Sequence, residues 1–135
     1  MDILWATLTG NSFDDFILSF KGREIRFPFY KHGVGRFDFF EICGQMLGPG
    51  DYLAIVDAVR VLMVDNIPQL SRSNFNEAKR FVTLIDAAYE AKISLICSAA
   101  TEPEMLYSEG EGSFEFERTA SRLKEMQSKN WLNVI

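Results

Sequence analysis

Residues 61–97 read VLMVDNIPQLSRSNFNEAKRFVTLIDAAYEAKISLIC, and this stretch decides the fold. It opens with four consecutive apolar residues at 61–64, which is typical of a strand buried on both faces of a parallel sheet. Apolar side chains then recur at helical spacing, at Phe75, Ala78, Phe81, Val82, Ile85 and Tyr89. A second apolar run follows at 93–97. The stretch therefore predicts two parallel strands joined by a helix in a right-handed crossover.

Further helices are predicted on both sides of this unit. Asn74 and Glu77 have the spacing of a capping box, which predicts where the central helix begins. One helix is expected at 51–59, after the turn Gly48-Pro49-Gly50, and a short one at 103–107. A last helix is predicted from Ser113 to about Leu132. Its inner face would consist of Phe116, Ala120, Leu123 and Met126.

The first third of the chain reads as β structure. The runs Phe16–Phe20 and 24–27 alternate or are aromatic-rich, and Lys21-Gly22-Arg23 between them predicts a hairpin turn. A third run at 34–40 is expected to form another sheet edge. We therefore predict a single α/β domain over 1–135. A small β-hairpin region at 1–47 is followed at 48–135 by the parallel βαβ unit, its flanking helices and the C-terminal helix.

Composition excludes several classes of protein. The 135 residues are 47% hydrophobic and carry a net charge of −5, which suits one soluble domain and argues against a nucleic-acid binder. No apolar stretch approaches the roughly 20 residues that a membrane helix needs, so no membrane span is expected. The first residues do not resemble a secretory or import signal, so neither secretion nor import is expected from them. Two cysteines, Cys43 and Cys97, are expected to be reduced, and no metal site is predicted.

Common catalytic templates are missing. His32 is the only histidine, which excludes a two-histidine zinc site, and its Gly-rich surroundings predict a solvated turn. No G-x-x-x-x-G-K-[ST] occurs, so the chain has no usual phosphate-binding loop. No set of nucleophile, base and oxyanion donors is apparent. We therefore predict no catalytic residue in this chain alone.

Polar residues at strand ends are the first candidate site. Asp65 and Asn66 follow the first apolar strand, and this is where P-loop NTPases place the carboxylate that holds Mg²⁺. Ser98 follows the second strand, where a polar residue can sense a γ-phosphate. The alternative is that all three are turn residues, which often end parallel strands.

An arginine pair is the second candidate site. Arg118 and Arg122 are four residues apart and so lie on one face of the last helix. Guanidinium groups suit phosphate recognition, and an arginine delivered in trans accelerates phosphoryl transfer. The alternative is a surface stripe of ion pairs with glutamates of the same helix, each worth about 0.3–0.5 kcal/mol.

Several blocks together resemble the C-terminal part of the ZapE/Afg-type ATPases, a P-loop family related to the AAA+ class. The most specific are NEAKRFVTLID at 76–86 and FEFERTASRLKEMQS at 114–128. Shorter matches, in the same order, are GREI, DYLA, DNIP, SA and LY at 22–25, 51–54, 65–68, 98–99 and 106–107. The resemblance implies a P-loop NTPase-like half domain without the family's phosphate-binding loop and magnesium-binding strand.

This resemblance also implies a function. The chain would be a fragment or truncated product of such an ATPase, inactive alone, with ATP and Mg²⁺ bound by the full-length protein. Asp65 and Asn66 would be acidic-strand-like and Ser98 sensor-strand-like. Arg122 first, and Arg118 second, would act as an arginine finger or sensor toward a neighbouring subunit. The expected location is the bacterial cytoplasm, or the mitochondrion in a eukaryote.

Two kinds of partner follow from this interpretation. One is the N-terminal ATPase part or a neighbouring subunit, and the other is a protein of cell division or quality control. The alternative function is a free-standing interaction module that binds a protein through its aromatic N-terminal β region. Its aromatic residues are Phe16, Phe20, Phe27, Phe29, Tyr30, Phe37, Phe39 and Phe40. Exposure of these side chains discriminates between core and interface.

Overall fold

A four-stranded mixed sheet forms the centre of the computed structural model of this chain, which describes residues 2–107 and 113–126. The strands are β1 (Phe16–Phe20), β2 (Arg23–Phe27), β3 (Phe29–Lys31), β4 (Val34–Asp38), β5 (Val61–Ile67) and β6 (Ser94–Ala99). The helices are α1 (Asp2–Thr9), α2 (Phe39–Ile42), α3 (Pro49–Asp57), α4 (Phe75–Ala91) and α5 (Ser113–Met126), with short 3-10 turns at Arg72–Asn74 and Pro103–Met105.

The predicted βαβ unit is confirmed. β5 and β6 pair in parallel, with Leu62 opposite Leu95, and α4 connects them. All four residues at 61–64 are buried, as expected for a strand covered on both faces. The predicted capping box is wrong. The Asn74 side chain instead accepts a hydrogen bond from the N–H of Ser71 at 2.7 Å, so it stabilises the preceding 3-10 turn.

In the N-terminal region the predicted hairpin is confirmed, whereas the predicted edge position of the third strand is wrong. β1 and β2 pair antiparallel as a separate two-stranded sheet. β4 was expected at an edge, but it lies inside the main sheet, whose order is β3-β4-β5-β6. Gly35 makes this position possible, because a Cβ there would lie only 2.8 Å from the Phe27 ring. The N-terminal region and the βαβ unit thus share one sheet.

Helices cover the two faces of the main sheet unequally. On one face, Phe37, Leu62 and Val64 pack into the main core with residues of α3, α4 and α5. On the other face, Trp5 of α1 packs against residues that include Val34 and Met63. This first helix was not predicted. Its eight residues include Ile3, Thr7 and Thr9, which are poor helix formers, so its helicity depends on tertiary packing.

The last helix buries the face that its sequence predicts. Phe116, Ala120, Leu123 and Met126 are all buried in the main core. The predicted end of this helix near Leu132 lies outside the described residues. None of the helices within the described ranges is long and apolar enough to cross a membrane.

Candidate functional site

Polar side chains from three neighbouring strands meet at one edge of the main sheet. The parallel strands β4, β5 and β6 all end there, and Asp38 lies opposite Asp65 in the β4–β5 register. Ser98 near the end of β6 joins them, since its Oγ accepts a hydrogen bond from the backbone N–H of Asn66 at 2.8 Å. The structure therefore brings Asp65, Asn66 and Ser98 together, at the edge where ligands of parallel sheets bind.

Asn66 links the three strands because it forms a bulge. Its φ of 61° is in the left-handed region, which asparagine tolerates better than most residues, and the β5–β6 register shifts between Val64 and Ile67. The Asn66 side-chain amide donates a hydrogen bond to Oδ1 of Asp38 at 2.8 Å. The other oxygen of Asp38 accepts from the N–H of Phe40, at the start of α2. These hydrogen bonds engage the Asn66 amide and both Asp38 oxygens.

Asp65 forms an ion pair with Arg36. The Arg36 Nε lies 2.7 Å from Oδ2 of Asp65, and its Nη2 lies 2.7 Å from Oδ1 of Asp2 in α1. Only 12% of the Arg36 side chain and 18% of the Asp65 side chain are exposed. Burial alone would lower the pKa of Arg36, but the hydrogen bonds and charges of Asp65 and Asp2 outweigh it and raise that pKa. Oδ1 of Asp65 is buried without a hydrogen-bond partner.

This edge does not fit a magnesium–nucleotide site. The positive charge of Arg36 already neutralises Asp65, and Asn66 offers an amide where a water-activating carboxylate would be needed. Among residues 2–107 and 113–126, no group of three or more metal-ligating side chains is close enough to hold an ion. Arg36 and Asn66 therefore argue against a role for this edge in binding Mg²⁺ or ATP.

The two arginines form a separate cluster in the helix layer. Arg118 and Arg122 of α5 both contact the carboxylate of Asp86 in α4, with Nη2 of Arg118 at 3.2 Å from Oδ2 and Nη1 of Arg122 bonded to Oδ1. The Arg122 guanidinium also stacks 4.6 Å above the Tyr89 ring. These residues belong to the helices on the sheet face opposite α1. The structure thus keeps the arginine pair apart from Asp65.

Exposure differs sharply between the two arginines. The Arg118 side chain is 62% exposed, whereas the Arg122 side chain is 22% exposed. Tyr89 donates a hydrogen bond to Oε2 of Glu125 at 2.6 Å, which continues the polar contacts along α5. Hydrogen bonding to that carboxylate raises the pKa of Tyr89. Arg122 is therefore held in place on several sides, while Arg118 extends toward solvent.

Most of the N-terminal aromatic residues serve the core. Phe27, Phe37 and Phe39 are buried, and the Phe27 ring packs against those of Phe16, Tyr30 and Phe37. Of the eight aromatic residues assigned to this region from the sequence, Phe29 and Phe40 are exposed, with 41% and 53% of their surface accessible. Phe13, which was not in that set, is also exposed and meets Phe29 edge to face, with ring centroids 5.2 Å apart.

Three residues of these two clusters were not predicted from the sequence. Arg36 and Asp38 become visible only once β4 is known to pair with β5, and Asp86 only once α4 packs on α5. The carboxylate that contacts both arginines, Asp86, comes from α4, which neither interpretation of the arginine pair included. His32 is exposed in the β3–β4 turn, as expected for a solvated histidine.

Comparisons with known proteins agree on one family. The model of the AFG1-like ATPase family matches residues 1–134. The cell division protein ZapE of Escherichia coli K12 is 30% identical over 133 residues, which are 98% of this chain and 36% of ZapE. Lactation elevated protein 1 homolog B of Danio rerio is 31% identical over 110 residues, 82% of this chain and 22% of that protein. The chain thus spans little more than a third of the length of ZapE and less than a quarter of the length of the Danio rerio protein. No solved structure matches it.

Proposed function

This chain belongs to the AFG1-like ATPase family, as its sequence motifs predict. On that premise we propose that the chain is the part of such an ATPase that does not contain the phosphate-binding loop. In this proposal it contacts the phosphate-loop part or a neighbouring subunit, supplies an arginine to the ATP site there, and does not hydrolyse ATP alone. The absence of G-x-x-x-x-G-K-[ST] from all 135 residues supports this. ATP and Mg²⁺ are then held by residues outside this chain.

The observation that carries the arginine role is the cluster of Arg118, Arg122 and Asp86. A guanidinium that acts in trans must reach beyond its own surface and still be aimed. One carboxylate orients both arginines, and Arg118 keeps most of its side chain in solvent. The resemblance puts Arg122 first, but exposure favours Arg118 as the residue that reaches a phosphate. Arg122 then positions Asp86 and, through it, Arg118.

The test restores an ATP site and removes one arginine at a time. The chain is mixed with a ZapE-type polypeptide that carries the phosphate loop but not the region matched here, and steady-state phosphate release is measured. We expect Arg118→Ala to lower turnover at least about tenfold, which is about 1.4 kcal/mol in barrier, without lowering the melting temperature. Arg26→Ala is the matched control, because Arg26 is a surface arginine on β2 whose side chain is exposed to a similar extent, 73% against 62%.

Arg122→Ala separates positioning from structure. It removes the stacking on Tyr89 and one bond to Asp86, so we expect it to lower both turnover and thermal stability. If neither Arg118→Ala nor Arg122→Ala lowers turnover tenfold, the arginine role is refuted. The contact role is tested separately, by the affinity of the chain for the phosphate-loop polypeptide.

The cellular role that we propose is based on the relative ZapE. ZapE is a cell division protein, and we propose a role in division or protein quality control, in the bacterial cytoplasm or in a mitochondrion. A second function, protein interaction through the N-terminal aromatic region, is favoured by the exposed Phe13 and Phe29 rings. We expect the double variant Phe13→Ser, Phe29→Ser to weaken binding to the phosphate-loop polypeptide if this patch is the contact. Unchanged affinity would exclude that patch.

A further inference from the structure

β6 is an edge strand of the main sheet in the part of the chain that the structure describes. Within the described part of the chain it pairs with β5 on one side and with no strand on the other. Its six residues, SLICSA, carry no charge and no proline. The opposite edge strand, β3, is only three residues long, contains Lys31 and follows Pro28. Short, charged edges resist pairing with other chains, whereas long uncharged edges promote it.

The backbone geometry shows which residues of β6 face this free edge. The N–H of Ser94 donates to the carbonyl of Arg60, and the N–H of Ala100 donates to the carbonyl of Ile67. Backbone groups alternate along a strand, so the even-numbered residues face β5. The N–H and C=O groups of Leu95, Cys97 and Ala99 therefore point to the open side. Three evenly spaced residues are available to pair with another strand.

An apolar groove lies beside this edge. It has a volume of about 610 Å³, and its lining includes Leu95, Cys97 and Ala99 from β6 together with Leu106, Leu123 and Met126. Leu95 and Cys97 stand on the sheet face that the main helices cover, because they lie opposite Leu62 and Val64 of β5. The groove thus extends the core surface to the edge, where a further strand would cover it.

We propose that a second copy of this chain pairs antiparallel with β6 and forms a two-fold dimer with one continuous sheet. Only registers that set odd-numbered residues opposite each other satisfy the free backbone groups. One of these sets Cys97 opposite the partner's Cys97 and Leu95 opposite the partner's Ala99. The strand is its own complement in this register, as a two-fold interface requires.

Charge at the two ends of β6 selects this occupant and this direction. Lys92 precedes the strand and Glu102 follows it, and both residues are exposed. An antiparallel pair brings the start of one β6 to the end of the other, so Lys92 and the partner's Glu102 lie at the same end of the interface, and the two-fold axis creates this arrangement twice. A parallel arrangement would instead place like charges side by side. This inference rests on the fold alone and is independent of the proposed ATPase role.

The test is a charge swap followed by sedimentation velocity over a range of chain concentrations. We expect the wild-type chain to dimerise, and Lys92→Glu and Glu102→Lys each to weaken the dimer at least about tenfold. The double variant Lys92→Glu, Glu102→Lys should restore it, because the opposite charges face each other again. Lys21→Glu changes net charge equally in the β1–β2 turn and should leave the dimer unchanged.

Cross-linking reports the register. Cys97 is the exposed cysteine and Cys43 the buried one, so a short bismaleimide can join two chains only through Cys97. Desolvation raises the pKa of the Cys97 thiol to about 12, so the reaction needs a long incubation. The cross-linked dimer should persist in Cys43→Ala and disappear in Cys97→Ala. A chain that sediments as a monomer at every concentration overturns the proposal, whether its β6 edge is covered within the chain or by another protein. A dimer that the charge swap does not restore overturns it equally.

Discussion

Replacing Arg36 by methionine tests the polar edge of the sheet most severely. Arg36→Met keeps most of the apolar volume but leaves the Asp65 carboxylate, which is 18% exposed, without its partner at 2.7 Å. Removing one member of a buried ion pair costs about 3–5 kcal/mol, because the remaining charge is buried and unpaired. The bond to Asp2 adds little, since that side chain is 94% exposed. With the residual exposure of Asp65 discounted, we expect a loss of about 3 kcal/mol.

This loss is large against the roughly 5–15 kcal/mol that stabilises a domain. In urea unfolding followed by far-UV circular dichroism at pH 7, a slope of about 2 kcal/mol per molar gives a midpoint lowered by roughly 1.5 M. Adding Asp65→Leu should recover more than half of the loss, because both charges then leave the interior.

The matched control is Arg26→Met. Arg26 pairs with Asp15 at 3.7 Å, but its side chain is 73% exposed, so its removal should cost less than about 0.5 kcal/mol. Equal midpoints for Arg36→Met and Arg26→Met would refute the buried ion pair. So would a double variant with Asp65→Leu that is no more stable than Arg36→Met alone.

Three further predictions concern the core and a turn. Burial raises the pKa of the Cys43 thiol far above its ordinary value of 9.0, so the stability that this provides is complete below pH 9 and falls as the pH rises further. Cys43→Ala should therefore show a shallower alkaline loss in denaturant titrations, and an equal slope contradicts the assignment. His32→Asn should increase the free energy of unfolding by about 0.5 kcal/mol, because φ at this turn residue is 53° and asparagine tolerates positive φ better than histidine. A slightly higher melting temperature would report this gain. Gly35→Ala should cost about 1–3 kcal/mol in urea unfolding, since its Cβ would meet the Phe27 ring, whereas Gly48→Ala has room and serves as the control.

The central unit was predictable because its signals are local. The 3.6-residue period of α4 and the apolar run at 61–64 need no knowledge of the rest of the chain. The position of β4 was not predictable in this way. It depends on the Phe27 ring packing over Gly35, a contact that no local pattern encodes. α1 was missed for a similar reason, since Trp5 finds its apolar partners only on the assembled sheet.

The candidate sites divide along the same line. Parallel topology places strand ends at one edge, so Asp65, Asn66 and Ser98 could be expected to lie together. Their meaning depended on Arg36, which is 29 residues away in the chain from Asp65 and pairs with it only through the β4–β5 register. The arginine cluster likewise needed α4, because helical spacing alone pairs Arg118 and Arg122 with their own helix. Long-range pairing thus decides what each site can do.

Phosphate release with Mg²⁺ and ATP, measured in one titration, tests the central claim most directly. The purified chain is assayed alone, and then with increasing amounts of a ZapE-type polypeptide that carries the phosphate loop but not the region matched here. The proposal predicts no release above the blank for the chain alone, and turnover in the mixture above that of the added polypeptide. Steady release by the chain alone that is lost on Asp65→Ala would contradict it, as would a mixture no more active than its parts.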